Sequence, residues 1–238
     1  MIEISKKITT NVGRTNAKFG LIKENDRIMI GFSGGKDSLT LLHTLNRMQK
    51  KAPFKFDFKA VTITYGMGEQ IEFLSNHCKE HGIEHEIIDT QIFDLAGEKI
   101  RKNSSFCSFF SRMRRGYLYT TALEQGYNKV ALGHHLDDAM ESYFMNLFYN
   151  GTMRTMPPIY KASNGLEVIR PLIFCRERQL RAFADSNEIR VIGDEACPGL
   201  RFDVKMPHAR ATTKELLAKL EEQNPKIFVS MKAAFSNI

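Results

Sequence analysis

A chain of 238 residues with 42% hydrophobic residues can bury one large core, with room for a small appendage. No apolar run approaches the ~18 residues of a membrane span, and the basic N-terminus MIEISKKITTNVGR lacks the apolar core of a signal peptide, so a cytoplasmic protein with no membrane partner is expected. A formal net charge of +7 favours a polyanionic partner, although a solvated basic surface would give the same number, and four cysteines (Cys78, Cys107, Cys175, Cys197) do not suggest a disulfide framework.

In chain order, residues 1–20 read as an irregularly amphipathic helix ending near Gly20, and RIMIGF (27–32) as a buried strand. A helix follows from Asp37 to Lys51, with Leu39, Leu41, Leu42, Leu45 and Met48 on or near one face. FKAVTITY (58–65) is the next strand, Gln70 to His81 a helix closed by Gly82, and EHEIIDT (84–90) a strand. Ser104 to Gln125 forms a long, basic, aromatic-rich helix, then NKVALGH (128–134) a strand and Asp137 to Asn150 a helix. LEVIRPL (166–172) is extended, Arg176–Ser186 helical, IRVIG (189–193) a further short element, and 208–235 mostly helical with a break at Pro225. Alternating strands and helices predict an α/β fold: a doubly wound, mostly parallel sheet with helices on both faces. The loosest stretches, 150–165 and 193–208, read as loops that carry function rather than as domain linkers.

The stretch from Ile28 to Ser38, IMIGFSGGKDS, runs a strand into a helix through a glycine pair. A Walker loop would need glycine where Ile30 stands and Ser or Thr where Asp37 stands. What remains, Ser33-Gly34-Gly35-Lys36-Asp37-Ser38, is still an anion site. Glycines bring backbone N–H groups close to phosphate oxygens, the helix start adds positive potential, two hydroxyls can donate, and Lys36 can neutralise charge. The alternative is a strand–helix turn whose glycines only relieve strain. Downstream, Gly133-His134-His135-Leu136-Asp137-Asp138 again joins strand to helix. Its carboxylates could cap the helix, or hold Mg²⁺ together with the phosphates of a ligand, with Asp37 and Asp138 as the magnesium candidates. In a doubly wound sheet both turns lie at carboxyl ends of strands and can face one ligand.

The hexapeptide resembles the pyrophosphate loop of the N-type ATP pyrophosphatases, the PP-loop superfamily. The resemblance implies an adenine nucleotide alpha hydrolase-like fold and cleavage of ATP to AMP and pyrophosphate, with AMP passing to a substrate oxygen. Gly-His-x-x-Asp-Asp is similar to the second signature of the PP-loop tRNA-modifying enzymes. That likeness adds Gly133, His134 and Asp137 to the nucleotide site, and Thr62 within strand 58–65 as part of the backbone that reads adenine.

Arg101 to Leu118, RKNSSFCSFFSRMRRGYL, carries five basic residues and no acid before Gly116, and could present an RNA-binding face. Cys107-Ser108-x-x-Ser111-Arg112-x-Arg114-Arg115-Gly116, NLFYNGTMRTMPP (146–158), IRPLIFCRE (169–177) and DRIMIGFSGGKDS (26–38) are similar to the tRNA 2-thiocytidine synthetases, the TtcA family. These matches span roughly Asp26 to Cys197. They imply adenylation of the C2 oxygen of an anticodon-loop cytidine and its replacement by sulfur, with Arg114 holding the substrate or the adenylate. The implied partners are tRNA and a sulfur donor protein or sulfide, in a possible homodimer. The domain division expected is a helical extension at 1–25, the PP-loop domain at 26–200 and a second helical extension at 201–238.

The chain departs from the family at the cysteines. The family holds an Fe–S cluster with Cys-x-x-Cys in the long helix and a third cysteine downstream. Here Cys107 is followed by Phe110 in the second position, and Cys197 aligns with the third. Three readings are ranked in this order: Cys107 and Cys197 carry and resolve a persulfide; they hold a cluster completed by a non-cysteine ligand; or both are remnants. Cys78 and Cys175 read as buried structural residues. Two alternatives for the whole chain remain: a ligase like the tRNA lysidine synthetases, and a nucleotide-binding module without catalysis.

Overall fold

The computed structural model describes residues 2–99, 106–196, 198 and 208–236. Its six-stranded sheet has the order β3-β2-β1-β4-β6-β5. The strands are β1 (Arg27–Gly31), β2 (Asp57–Ile63), β3 (His85–Ile88), β4 (Lys129–Ala131), β5 (Ile159–Lys161) and β6 (Glu167–Ile169). All pairings are parallel except that of β5 with β6. The helices are α1 (Lys6–Phe19), α2 (Lys36–Lys51), α3 (Glu72–Glu80), α4 (Ile92–Lys99), α5 (Phe106–Glu124), α6 (Leu136–Asn150), α7 (Glu177–Ser186), α8 (His208–Gln223) and α9 (Ile227–Phe235).

The apolar run at 28–30 becomes the central strand because only a strand covered on both faces can use it. Ile28, Met29 and Ile30 are all fully buried. Successive strand residues point to opposite faces. Ile28 and Ile30 therefore join Ile8, Val12 and the leucines of α2 in one core, while Met29 joins Val61, Val130, Phe110 and Leu118 in another. A third cluster packs α6 against α8 and α9 through Met140, Leu217 and Phe228. Helix α1 is thus seated in the main core. It begins at Ser5, whose hydroxyl accepts the Ile8 N–H at 3.4 Å, and ends at Gly20 with φ +60°.

Strand order runs outward from β1 to β3 and then returns to β4 on the other side of β1. The carboxyl ends of β1 and β4 diverge at such a switch point, which makes a crevice. Three stretches take a form that the sequence pattern left open. IRVIG (189–193) is not a strand: it forms no ladder, and the Ile192 N–H donates to Gly34 O at 2.9 Å, so it lies as a strap on the glycine loop. The stretch 150–165 contains β5, whose Ile159-Tyr160-Lys161 is too short to show a period of two. Helix α4 lies between the strand and the long basic helix, in a stretch to which no element was assigned from sequence. The long basic helix is described from Phe106 onward, so Arg101 and Lys102 lie outside the described residues.

Candidate active site

A cleft of about 370 Å³ opens at the switch point. Gly31, Phe32, Val61, Ile63 and Leu132, at or just past the ends of the three central strands, make its apolar floor. One wall is Ser33, Asp37 and Ser38; a second is Gly133, His134 and Asp138; the third is the α5 face of Phe110, Ser111, Arg114 and Arg115.

The glycine loop is held open by its own hydroxyls. Ser38 Oγ donates to Gly35 O at 3.0 Å and accepts both the Ser33 N–H and the Ser33 hydroxyl at 3.2 Å. Gly35 is the N-cap of α2 and has no side-chain cap hydrogen bond, so the first-turn N–H groups are left to an anion. Gly34 has φ +78°, and a Cβ there would stand 2.7 Å from Ile192 Cδ1. Gly133 is required by proximity: a Cβ would meet Asp37 C at 3.1 Å and Ser38 N at 3.2 Å, both loop backbone. The two signatures therefore touch main chain to main chain.

Lys36 is half-buried, and its Nζ lies 3.1 Å from Glu177 Oε1 and 3.4 Å from Asp37 Oδ1. Burial works to lower its pKa, but Asp37 and Glu177 outweigh it and the net shift is upward. Burial likewise works against ionised Glu177, yet hydrogen bonds from Lys36 and Lys214 bring its carboxyl down to about 2. Asp37 is shifted up, first by burial and then by Asp138, despite His135 and Lys36. Its Oδ1 is buried and accepts no hydrogen bond. That oxygen already faces the Lys36 ammonium at 3.4 Å, so Asp37 fits a role in holding Mg²⁺ with ATP phosphates where the lysine turns to the phosphates instead.

Asp138 is engaged differently. Its Oδ2 accepts the His135 N–H at 3.0 Å, completing a capping box at the start of α6, and its Oδ1 accepts from Arg210 of α8 at 2.7 Å. Capping thus falls to Asp138 and His135 rather than to Asp137. Asp137 is turned toward α7, accepting the Glu177 N–H at 2.7 Å and Arg176 Nε at 3.1 Å, and it does not line the cleft. Thr62 also lies behind the floor, where its hydroxyl donates to Phe32 O at 2.6 Å and ties β2 to the end of β1.

His134 lines the cleft. Burial, and next the nearby Arg170, bring its pKa down to about 4. Arg170 Nε donates to its Nδ1 at 3.2 Å, so the neutral ring carries its proton on Nε2 and is a donor there. Arg170 is itself buried, donating to Pro157 O at 2.7 Å and stacking 4.9 Å from the Tyr160 ring. Across the cleft Arg114 donates to the Tyr65 hydroxyl at 2.9 Å.

Phe110 is 3% exposed, edge-on to Tyr65 at 5.5 Å and stacked with Phe93 at 6.4 Å. A ring that closes an aromatic cluster stands where the resemblance would place a cysteine ligand. Cys78 and Cys175 are buried in the main core, where burial pushes each thiol up to about 12, and neither lines the cleft. Cys197 and the side chain of Cys107 lie outside the described residues. The donors at these positions do not fit a cluster ligated by three cysteines.

The structure thus brings together Ser33, Asp37, Ser38, Gly133, His134, Asp138 and Arg114, with Gly34, Gly35 and Lys36 in the adjoining loop and helix start. It adds Glu177, Arg170, Tyr65, Arg115 and Arg210, which sequence reasoning did not assign to the site. Arg170 and Glu177 lie within the matched IRPLIFCRE segment and Arg115 within the basic helix; Tyr65 ends a strand, and Arg210 carried no motif signal at all.

A phosphate-type glycine loop at the switch point of a parallel sheet, facing carboxylates and arginines, defines a nucleotide-binding α/β protein. Residues 4–205 match the family model for the PP-loop domain. The chain is 43% identical to a tRNA-cytidine(32) 2-sulfurtransferase of Geobacter metallireducens over 98% of its length and 90% of that protein's. It is 41% identical to the tRNA-cytidine(32) 2-sulfurtransferase of Geobacter sulfurreducens over the same shares of the two chains. In fold it is similar to the U34-tRNA thiolase NcsA from Methanococcus maripaludis, solved with its [4Fe-4S] cluster, at TM-score 0.79 and 24% identity, over 98% of this chain and 78% of that one. The chain belongs to the PP-loop family, on the branch that holds the tRNA-cytidine(32) 2-sulfurtransferases.

Proposed function

We propose that this protein is an ATP-dependent tRNA sulfurtransferase that adenylates the C2 oxygen of a cytidine and then replaces that oxygen with sulfur. The observation that carries this reading is the backbone contact of the two signatures, Gly133 against Asp37 and Ser38, which sets the glycine loop and the second signature side by side on one cleft. Support for the substrate comes from the relatives, which are named for tRNA cytidine.

ATP lies with adenine on the floor against β2. The Gly34–Gly35 amides, both serine hydroxyls and Lys36 orient its phosphates. Asp37 is the residue suited to hold Mg²⁺, which would screen the phosphate charge, and Asp138 would be the second carboxylate available to it, at present engaged by Arg210 and the His135 N–H. The cytidine O2 attacks the α-phosphorus and pyrophosphate leaves. No protein nucleophile is needed, because positioning and charge neutralisation lower the barrier. Arg114 and Arg115 hold RNA or adenylate phosphate across the cleft, and the His134 Nε2–H is a neutral donor beside the reacting groups.

The sulfur step passes through Cys107 and Cys197. A donor loads Cys107 as a persulfide, whose terminal sulfur attacks C2 and expels AMP, leaving Cys107 disulfide-linked to the base. The Cys197 thiolate then attacks the Cys107 sulfur. This frees the thiolated base and leaves a Cys107–Cys197 disulfide, which an external dithiol reduces.

The test incubates the protein with ATP, unmodified tRNA, and either a persulfide-loading system or free lysine, with nucleosides read by mass spectrometry. The expected products are AMP, pyrophosphate and 2-thiocytidine. Lysidine would transfer the chain to the ligase reading, and bound ATP without AMP formation would leave a binding module.

A further inference from the structure

A second cluster of chemistry-bearing residues lies outside the cleft. His43 projects from α2, while His77 lies on α3 and His81 is the residue that caps its C-terminal end. His43 Nε2 and His77 Nε2 are 2.8 Å apart, and one ligand nitrogen from each of the three rings lies within 4.8 Å of the others. The ring centroids are separated by 5.0 Å (His43–His77), 4.9 Å (His43–His81) and 4.7 Å (His77–His81), so all three rings converge on one point. We propose that His43, His77 and His81 form a binding site for a divalent transition-metal cation of the zinc class, which ties the phosphate-loop helix α2 to α3.

Several observations support a metal over a bare hydrogen-bonded pair. Zn–N bonds of about 2.0–2.1 Å in a tetrahedron place ligand nitrogens about 3.3 Å apart. The 2.8 Å pair opens slightly and the wider pairs close, within the freedom of two χ angles on half-buried His77 and His81. A His–His hydrogen bond occupies one nitrogen on each of two rings and does not involve the third ring that converges on the pair.

Charges around the cluster act in both directions: Lys50 disfavours a cation beside His43, and Glu80 favours one beside His77. An entry path exists as well. His43 and His81 line a cleft of about 300 Å³ together with Asn46, Arg47, Lys50 and Lys51. Three imidazoles leave one tetrahedral position for water or a small anion, which this basic cleft can admit.

The site uses no residue of the nucleotide cleft, so its test stands apart from the sulfurtransferase reading. The full chain with Cys107→Ser and Cys197→Ser is stripped with a chelator and titrated with ZnCl₂ and, separately, CoCl₂. One Zn²⁺ per chain is expected, with the ligand-field bands of tetrahedral Co²⁺ and no thiolate charge-transfer band. Zn²⁺ should also raise the melting temperature. His77→Gln and His81→Gln, at half-buried positions, should each weaken Zn²⁺ at least about 100-fold and abolish the thermal shift, with circular dichroism unchanged. No Zn²⁺ uptake by the Cys→Ser protein, uptake indifferent to both glutamine variants, or a thiolate band from Cys78 would each overturn the assignment.

Discussion

The ammonium group of Lys36, which opens the phosphate-loop helix, sits 3.1 Å from Glu177 Oε1 at the start of α7, while Lys214 of α8 donates to the other oxygen of the same carboxylate at 3.2 Å. The loop lysine therefore enters the cycle already neutralised, and a nucleotide must draw it away from a carboxylate that stays ionised down to about pH 2. Lys36→Ala should reduce ATP–pyrophosphate exchange by about 100-fold, the scale of a lost charge-assisted contact to phosphate, while Glu177 keeps Lys214 as a partner. Glu177→Gln should act in the opposite direction on binding, tightening a non-hydrolysable ATP analogue by about 3- to 10-fold in calorimetry. Weaker binding in Glu177→Gln would show that Glu177 positions Lys36 rather than competing for it.

Gly133→Ala tests the contact between the two signatures. The new methyl group meets backbone at 3.1–3.2 Å, and backbone cannot rotate aside. The Asp37–Ser38 turn must shift outward, so analogue affinity should fall about 10-fold or more, with only about 1–2 kcal/mol lost in urea unfolding. Equal affinity in wild type and variant would mean that the loop is less constrained than its geometry indicates.

Phe110→Cys restores the Cys-x-x-Cys spacing at the expense of a buried ring. Large-to-small substitution of a buried phenyl costs about 3–5 kcal/mol, and the loss of the stacked Phe93 and edge-on Tyr65 partners places this position in that range. After anaerobic reconstitution with iron and sulfide, visible cluster absorbance is expected in the variant and not in the parent chain. Absorbance and stoichiometric iron in the parent would show that two cysteines and another ligand suffice.

Acid should weaken the fold before its carboxylates titrate. Burial is the main cause holding His43 at about 3 and His85 and His134 at about 4, against an ordinary 6.5. As pH falls the unfolded chain takes up these protons first, so the stability is fully present above about 6.5 and is lost as pH drops toward 4. Urea midpoints should therefore fall between about pH 7 and pH 5, and His85→Gln should flatten that slope. His85 is the useful position because its ring bridges Thr62 Oγ1 at 2.9 Å and Ser75 Oγ at 3.0 Å, contacts that an amide can partly imitate. A midpoint independent of pH in this window would remove buried histidine as the cause.

The sequence alone determined the alternating strands and helices, the glycine loop and its distinction from a Walker loop, because these rest on local periodicity and on residue types whose conformational demands are short-range. Ile28 to Ile30 announce a doubly covered strand whatever surrounds them, and the Gly34–Gly35 pair announces a close backbone approach, although only Gly34 of the two takes a left-handed backbone. Tertiary structure decided which charges meet. Asp137 and Asp138 are adjacent in the chain, yet one turns to Arg176 and the other to His135 and Arg210. Lys36 finds Glu177 from 141 residues away, and the strap at 189–193 takes its conformation from Gly34 rather than from a ladder. His43 meets two histidines at the C-terminal end of α3. Such pairings depend on where the sheet places distant elements, and no local pattern of hydrophobicity or spacing encodes that placement.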